Sequence, residues 1–114
     1  NNIIAIADVI YNRSPKTQVY IQTTLPINNK LYKKLTGTFP FHEMPLPDQI
    51  NQINTRLKKN NRQDHYTVID LHDIFLDNHG LLSKQYTSDG VHLNEEGYHK
   101  WSNFIRNYIS CNSL

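Results

Sequence analysis

A single cysteine, Cys111, excludes a disulfide within the chain and leaves the compartment open. No apolar run approaches the length that crosses a bilayer, so no membrane span is expected. Neither His-Glu-x-x-His nor Cys-x-x-Cys occurs, and the nearest approaches to a ligand set are His72-Asp73, His42-Glu43 and the pair His92 and His99. These are weak spacings, and no metal is expected. Charge of one sign is scarce too: a formal net charge of +2 does not call for a polyanionic partner, and no nucleic acid is expected. Lys30, Lys33 and Lys34 form one basic cluster and Arg56, Lys58, Lys59 and Arg62 another. No aromatic or glycine pattern is interleaved with either, so both read as solvated faces. None of Ser14, Ser83, Ser88, Ser102, Ser110 and Ser113 stands in a Gly-x-Ser-x-Gly elbow. There is no internal repeat and no low-complexity segment.

What is present is modest. An apolar fraction of 38% over 114 residues, gathered in a few short segments, suits a thin core. The chain fits one small domain, and half a domain better than a complete one. It opens on Asn1 with no charged-then-apolar leader, so the N-terminus is expected to be a cut that removed any targeting signal.

Ile3, Ile6, Ala7 and Ile10 recur at helical intervals and predict a helix over 2–13, stopped where Ser14 precedes Pro15. Residues 18–24 are rich in β-branched and aromatic side chains and predict a strand. From Ile27 to Leu46 no period is sustained, although Leu31, Tyr32 and Leu35 suit one helical turn. A loop of that length after a strand's C-terminal end is where open α/β sheets bind ligands. A second amphipathic helix follows over 48–60 with Ile50, Ile53 and Leu57 on one face and an exit at 60–64. Residues 66–71 predict a buried strand. Asn94 is placed as the N-cap of a last helix carrying Tyr98, Trp101, Ile105, Tyr108 and Ile109 on its packing face.

The chemistry concentrates in Tyr86-Thr87-Ser88-Asp89-Gly90-Val91-His92-Leu93-Asn94-Glu95-Glu96-Gly97-Tyr98. At three residues' separation the Asp89 carboxylate can accept from one imidazole nitrogen of His92, leaving the other to take a proton from a nucleophile. An Asp-Gly turn followed by histidine can also arise for backbone reasons alone. Ser88 is too close in sequence to reach the far nitrogen of His92.

This stretch resembles the last conserved block of the SGNH hydrolases, also called GDSL-like lipases or acylhydrolases. Ser14 to Gln22 running into Leu25-Pro26-Ile27-Asn28 is similar to the strand after the family's third block, and Val68-Ile69-Asp70-Leu71 resembles its last strand. The resemblance implies an α/β fold: the C-terminal half of a flavodoxin-like three-layer α/β/α sandwich with parallel strands, here two strands and three helices. Residues 1–114 would be a partial domain whose nucleophile, oxyanion glycine and asparagine blocks lie in an N-terminal half, which becomes a partner. The implied activity is serine ester hydrolysis of a small acyl ester of a carbohydrate or lipid-like alcohol. His92 would be the acid and base, Asp89 its orienter, and no metal or organic cofactor would be needed. Val91, Asn28 and Phe41 are placed at the substrate cleft, and Asp70 is read as structural, bonding nearby backbone. Alone the chain should be inert. Family members are often exported, but the compartment stays open. The competing expectation is a non-catalytic module that binds a carbohydrate or a partner.

Overall fold

The computed structural model describes residues 2–59 and 65–112; the expected helix exit over 60–64 and the Arg62 of the second basic cluster lie outside them. In chain order the elements are helix α1 (Asn2–Arg13), strand β1 (Tyr20–Gln22), helices α2 (Asn29–Thr36) and α3 (Pro47–Lys59), strand β2 (Thr67–Ile69), a short 3₁₀ turn (Asp73–Phe75) and helix α4 (Glu95–Asn112). The two strands are parallel, with Tyr20 opposite Thr67, Ile21 opposite Val68 and Gln22 opposite Ile69. A parallel pair needs a crossover, and α2 and α3 make it. The protein is therefore α/β with a parallel sheet.

Alternation along β1 divides the packing. Ile21 joins Ala7 of α1, Leu57 of α3 and Tyr66 in a buried cluster, with Ile4, Val19 and Val68 against it. Tyr20 and Gln22 point the other way: Tyr20 meets Tyr108 edge-on at 6.2 Å, and Gln22 Oε1 accepts from Trp101 Nε1 at 3.0 Å. So α4 covers the side of β1 opposite α1 and α3.

The sheet's C-terminal end is held by side chains rather than by more ladder. Thr23 donates its N–H to the Ile69 carbonyl, and its fully buried hydroxyl oxygen accepts the N–H groups of Leu71 and His72, each at 3.0 Å. Asn54 of α3 grips Thr24 as a strand neighbour would, accepting from its N–H at 2.7 Å and donating to its carbonyl at 2.8 Å. Among the described residues Asp70 bonds side chains, not backbone: it accepts from the Thr23 hydroxyl and pairs with Lys58 at 2.9 Å.

Three expectations are corrected. Among the described residues there are four α-helices, because the single turn predicted at Leu31 is an eight-residue helix, capped by Asn28 and ended by Gly37 in the left-handed region at φ 85°. On α1, Ala7 and Ile4 face the core while Ile3, Ile6 and Val9 are exposed. That helix is apolar on two sides, and a two-stranded sheet covers only one. On α4, Trp101 and Tyr108 reach β1, whereas Tyr98 is 58% exposed, one turn before the helix meets the strand.

Candidate active site

The loop from Tyr86 to Asn94 is closed at its base and pinned inside. Thr87 and Leu93 form an antiparallel bridge, and Asn94 donates its N–H to the Tyr86 carbonyl at 2.8 Å. Asn94 also donates from Nδ2 to Gln85 and accepts the Gly97 N–H, so one side chain closes the loop and starts α4. The buried Thr87 hydroxyl donates to the His92 carbonyl at 2.7 Å and accepts the Gly90 N–H at 2.9 Å. Gly90 has φ 89°, and a Cβ there would lie 2.3 Å from the Asn28 carbonyl oxygen. Only glycine fits that approach without strain.

Asp89 uses its two oxygens separately. Oδ1 accepts the N–H groups of Val91 and His92, each at 2.8 Å, while Oδ2 meets His92 Nδ1 at 2.7 Å. Partial burial pushes its pKa up, but the N–H of His92, the His92 ring, the N–H of Val91 and the ring's charge together hold the carboxyl well below the usual carboxylate range. An ionised carboxylate only accepts, so the proton between them belongs to Nδ1. The lone pair of Nε2 is left outward, on a side chain 79% exposed. Among the described residues no serine hydroxyl bonds to that ring.

Of the other expected site residues, Val91 is half-buried beside the pair, with its N–H on Asp89. Asn28 is buried: Nδ2 donates to the Leu82 carbonyl, Oδ1 accepts the Leu31 N–H that caps α2, and its own N–H donates to the Gly90 carbonyl at 2.7 Å. Phe41 is exposed on the α2–α3 connection, its ring centre 4.2 Å from that of His42. His72 and Asp73 bond to each other at 2.8 Å. Among the described residues no three of His, Cys, Asp and Glu converge as a metal site would require, and no helix is long and apolar enough to cross a membrane. Thr87 had no role assigned from sequence. Its signal was there, since a threonine ahead of Asp-Gly is a residue that hydrogen-bonds local backbone.

A loop-borne aspartate that fixes one imidazole nitrogen and leaves the other outward has the geometry that proton transfer to and from a nucleophile requires. Residues 1–100 match the profile of the GDSL-like Lipase/Acylhydrolase family, and the chain belongs to that family. Its fold is similar to a structure described as a candidate platelet activating factor from Streptococcus pneumonia, with TM-score 0.77 and 24% identity over 96% of this chain and 49% of that one. It is similar also to a GDSL-like lipase from Bacteroides thetaiotaomicron VPI-5482, with TM-score 0.75 and 23% identity over 99% of this chain and 51% of that one. An N-acylneuraminate cytidylyltransferase of Escherichia coli O18:K1:H7 is 37% identical over 60 residues, which are 53% of this chain and 14% of that protein. The chain thus spans about half the length of the solved structures it matches.

Proposed function

We propose that this chain supplies the acid–base pair of a serine esterase, acting on a small acyl ester of a carbohydrate or lipid-like alcohol. The observation that carries the reading is the 2.7 Å contact between Asp89 and His92, with the opposite ring nitrogen facing solvent. A serine from an N-terminal half would attack the ester carbonyl while Nε2 of His92 takes its proton. His92 would return that proton to the leaving alcohol and then deprotonate the water that releases the acyl group. Asp89 would keep Nδ1 protonated and stabilise the imidazolium. Val91 would line the cleft beside the ring, Phe41 would border it from the α2–α3 connection, and Asn28 would hold the loop in place.

We place the chain as the C-terminal half of a flavodoxin-like three-layer α/β/α sandwich. The helices on both sides of β1 support this, as does the exposed apolar face of α1. A radius of gyration of 15.7 Å, against about 13 Å for a self-contained domain of this length, points the same way. With the nucleophile elsewhere, the chain alone would be inert.

The test is hydrolysis of p-nitrophenyl acetate by the intact protein and its His92→Ala variant. The variant is expected to lose at least roughly 10²-fold in kcat. Undiminished turnover would reject His92 as the base.

A further inference from the structure

Lys30 and Lys34, from one basic cluster, are exposed, yet they also border a hollow. They line a cavity of ≈ 200 Å³ together with Asn28 and Leu31, and the loop after the 3₁₀ turn brings Asp77, His79, Leu81 and Lys84 to the same space. Lys33, their neighbour in sequence, is not part of it. Three lysines separated by up to fifty-four positions therefore border one concavity, and among the described residues none of them is in a salt bridge.

The acid in the group offsets at most one of them: burial pushes the Asp77 carboxyl up, but the N–H groups of Leu81 and His79 and the charges of His79 and Lys30 together hold it below its ordinary value. Asp77 Oδ1 accepts the N–H groups of His79 and Leu81 at 2.8 and 3.0 Å, holding the turn. One carboxylate so engaged leaves the lining with a surplus of at least two positive charges. Lys30 also sits in the first turn of α2, which carries no acid, where a cation is disfavoured by the helix dipole. Lys34 lies in the last turn of that helix, so only Lys30 meets the dipole unfavourably, and an anion in the concavity would relieve it.

The cavity adjoins the catalytic loop. Asn28 lines it and donates its N–H to the carbonyl of Gly90, two residues before His92. We propose that this cavity is a subsite for an anionic group, a carboxylate or a phosphate, carried on the alcohol portion of the substrate. Calling the ligand a substrate rests on the esterase reading; binding of the anion does not.

The experiment is an NMR or calorimetric titration of the intact protein with glucuronate, inorganic phosphate and, as a neutral control, glucose. At least one anion should bind, with affinity falling as salt is added, while glucose should not. Replacing Lys30, Lys34 and Lys84 together by Ala should weaken that binding at least about tenfold, the worth of one charge-assisted hydrogen bond. Lys33→Ala should leave it within about twofold. Glucuronate alone binding would assign a carboxylate and phosphate alone a phosphoryl group. The proposal is overturned if neither anion binds, if glucose binds as well, or if the triple variant binds like the parent. Because binding needs no nucleophile, a protein that takes up the anion yet cleaves no ester would count against the esterase reading and not against the subsite.

Discussion

The backbone N–H of Asn28 donates to the carbonyl of Gly90 at 2.7 Å, and the Asn28 carbonyl lies where a side chain on Gly90 would stand. The chain leaving β1 and the loop bearing Asp89 and His92 are thereby joined backbone to backbone. Replacing Gly90 by Ala should force them apart. A residue at φ 89° with its Cβ against backbone costs on the order of 1–3 kcal/mol or more. Urea denaturation should show that loss, and under the proposed esterase function hydrolysis of p-nitrophenyl acetate by the intact protein should fall with it.

Asp89→Asn keeps the shape of the side chain and removes its charge. The amide can offer Nδ1 a donor, which favours the tautomer with the proton on Nε2. The expected effect on the intact protein is a drop in kcat on the order of 10⁴-fold with KM little changed. A variant with parental kcat would show that Asp89 does not set the tautomer.

The same residue fixes a pH dependence. Its folded pKa is depressed below its unfolded value of about 3.9, so its contribution to stability is present above that value and is lost as pH falls toward the folded one. The stability gap between the parent and Asp89→Asn should therefore narrow as the pH falls below about 4. Urea titrations at a series of pH values would measure it. A gap that widened on acidification would contradict the sign.

Thr23→Val removes a buried hydroxyl that accepts two backbone N–H groups at the end of the sheet. With Leu71 and His72 left unpaired, the loss should be about 1–3 kcal/mol for each donor. Thr23→Ser should recover most of it, because the oxygen is restored. Equal stability of the Val and Ser variants in chemical denaturation would refute the bonding role.

Asn54→Leu tests the mimicry of a strand by a helix side chain. It leaves the Thr24 N–H and carbonyl without their partner, and about 2–4 kcal/mol should be lost. Faster hydrogen exchange at the Thr24 amide should accompany it.

How far the sequence reached depends on the range of each contact. The stop of α1 at Pro15, the Asn94 cap and the bond between Asp89 and His92 span at most four residues, and local backbone geometry fixes them. Both strands were legible as β-branched runs, although the paired segments are shorter than the runs. Helix α2 was read as a single turn because its lysines blur the apolar period, while its cap residues, Asn28 and Gly37, were in plain view.

The sequence alone determined the local pieces: two strands, the amphipathic stretches, and a carboxylate within reach of an imidazole. Only the tertiary structure decided which side of α1 is covered, that the Thr23 hydroxyl holds a segment forty-eight positions away, and that Lys84 joins Lys30 and Lys34. The reason is physical. A period in sequence marks a face, but what that face meets depends on the surfaces that packing leaves available, and these are set by the whole chain.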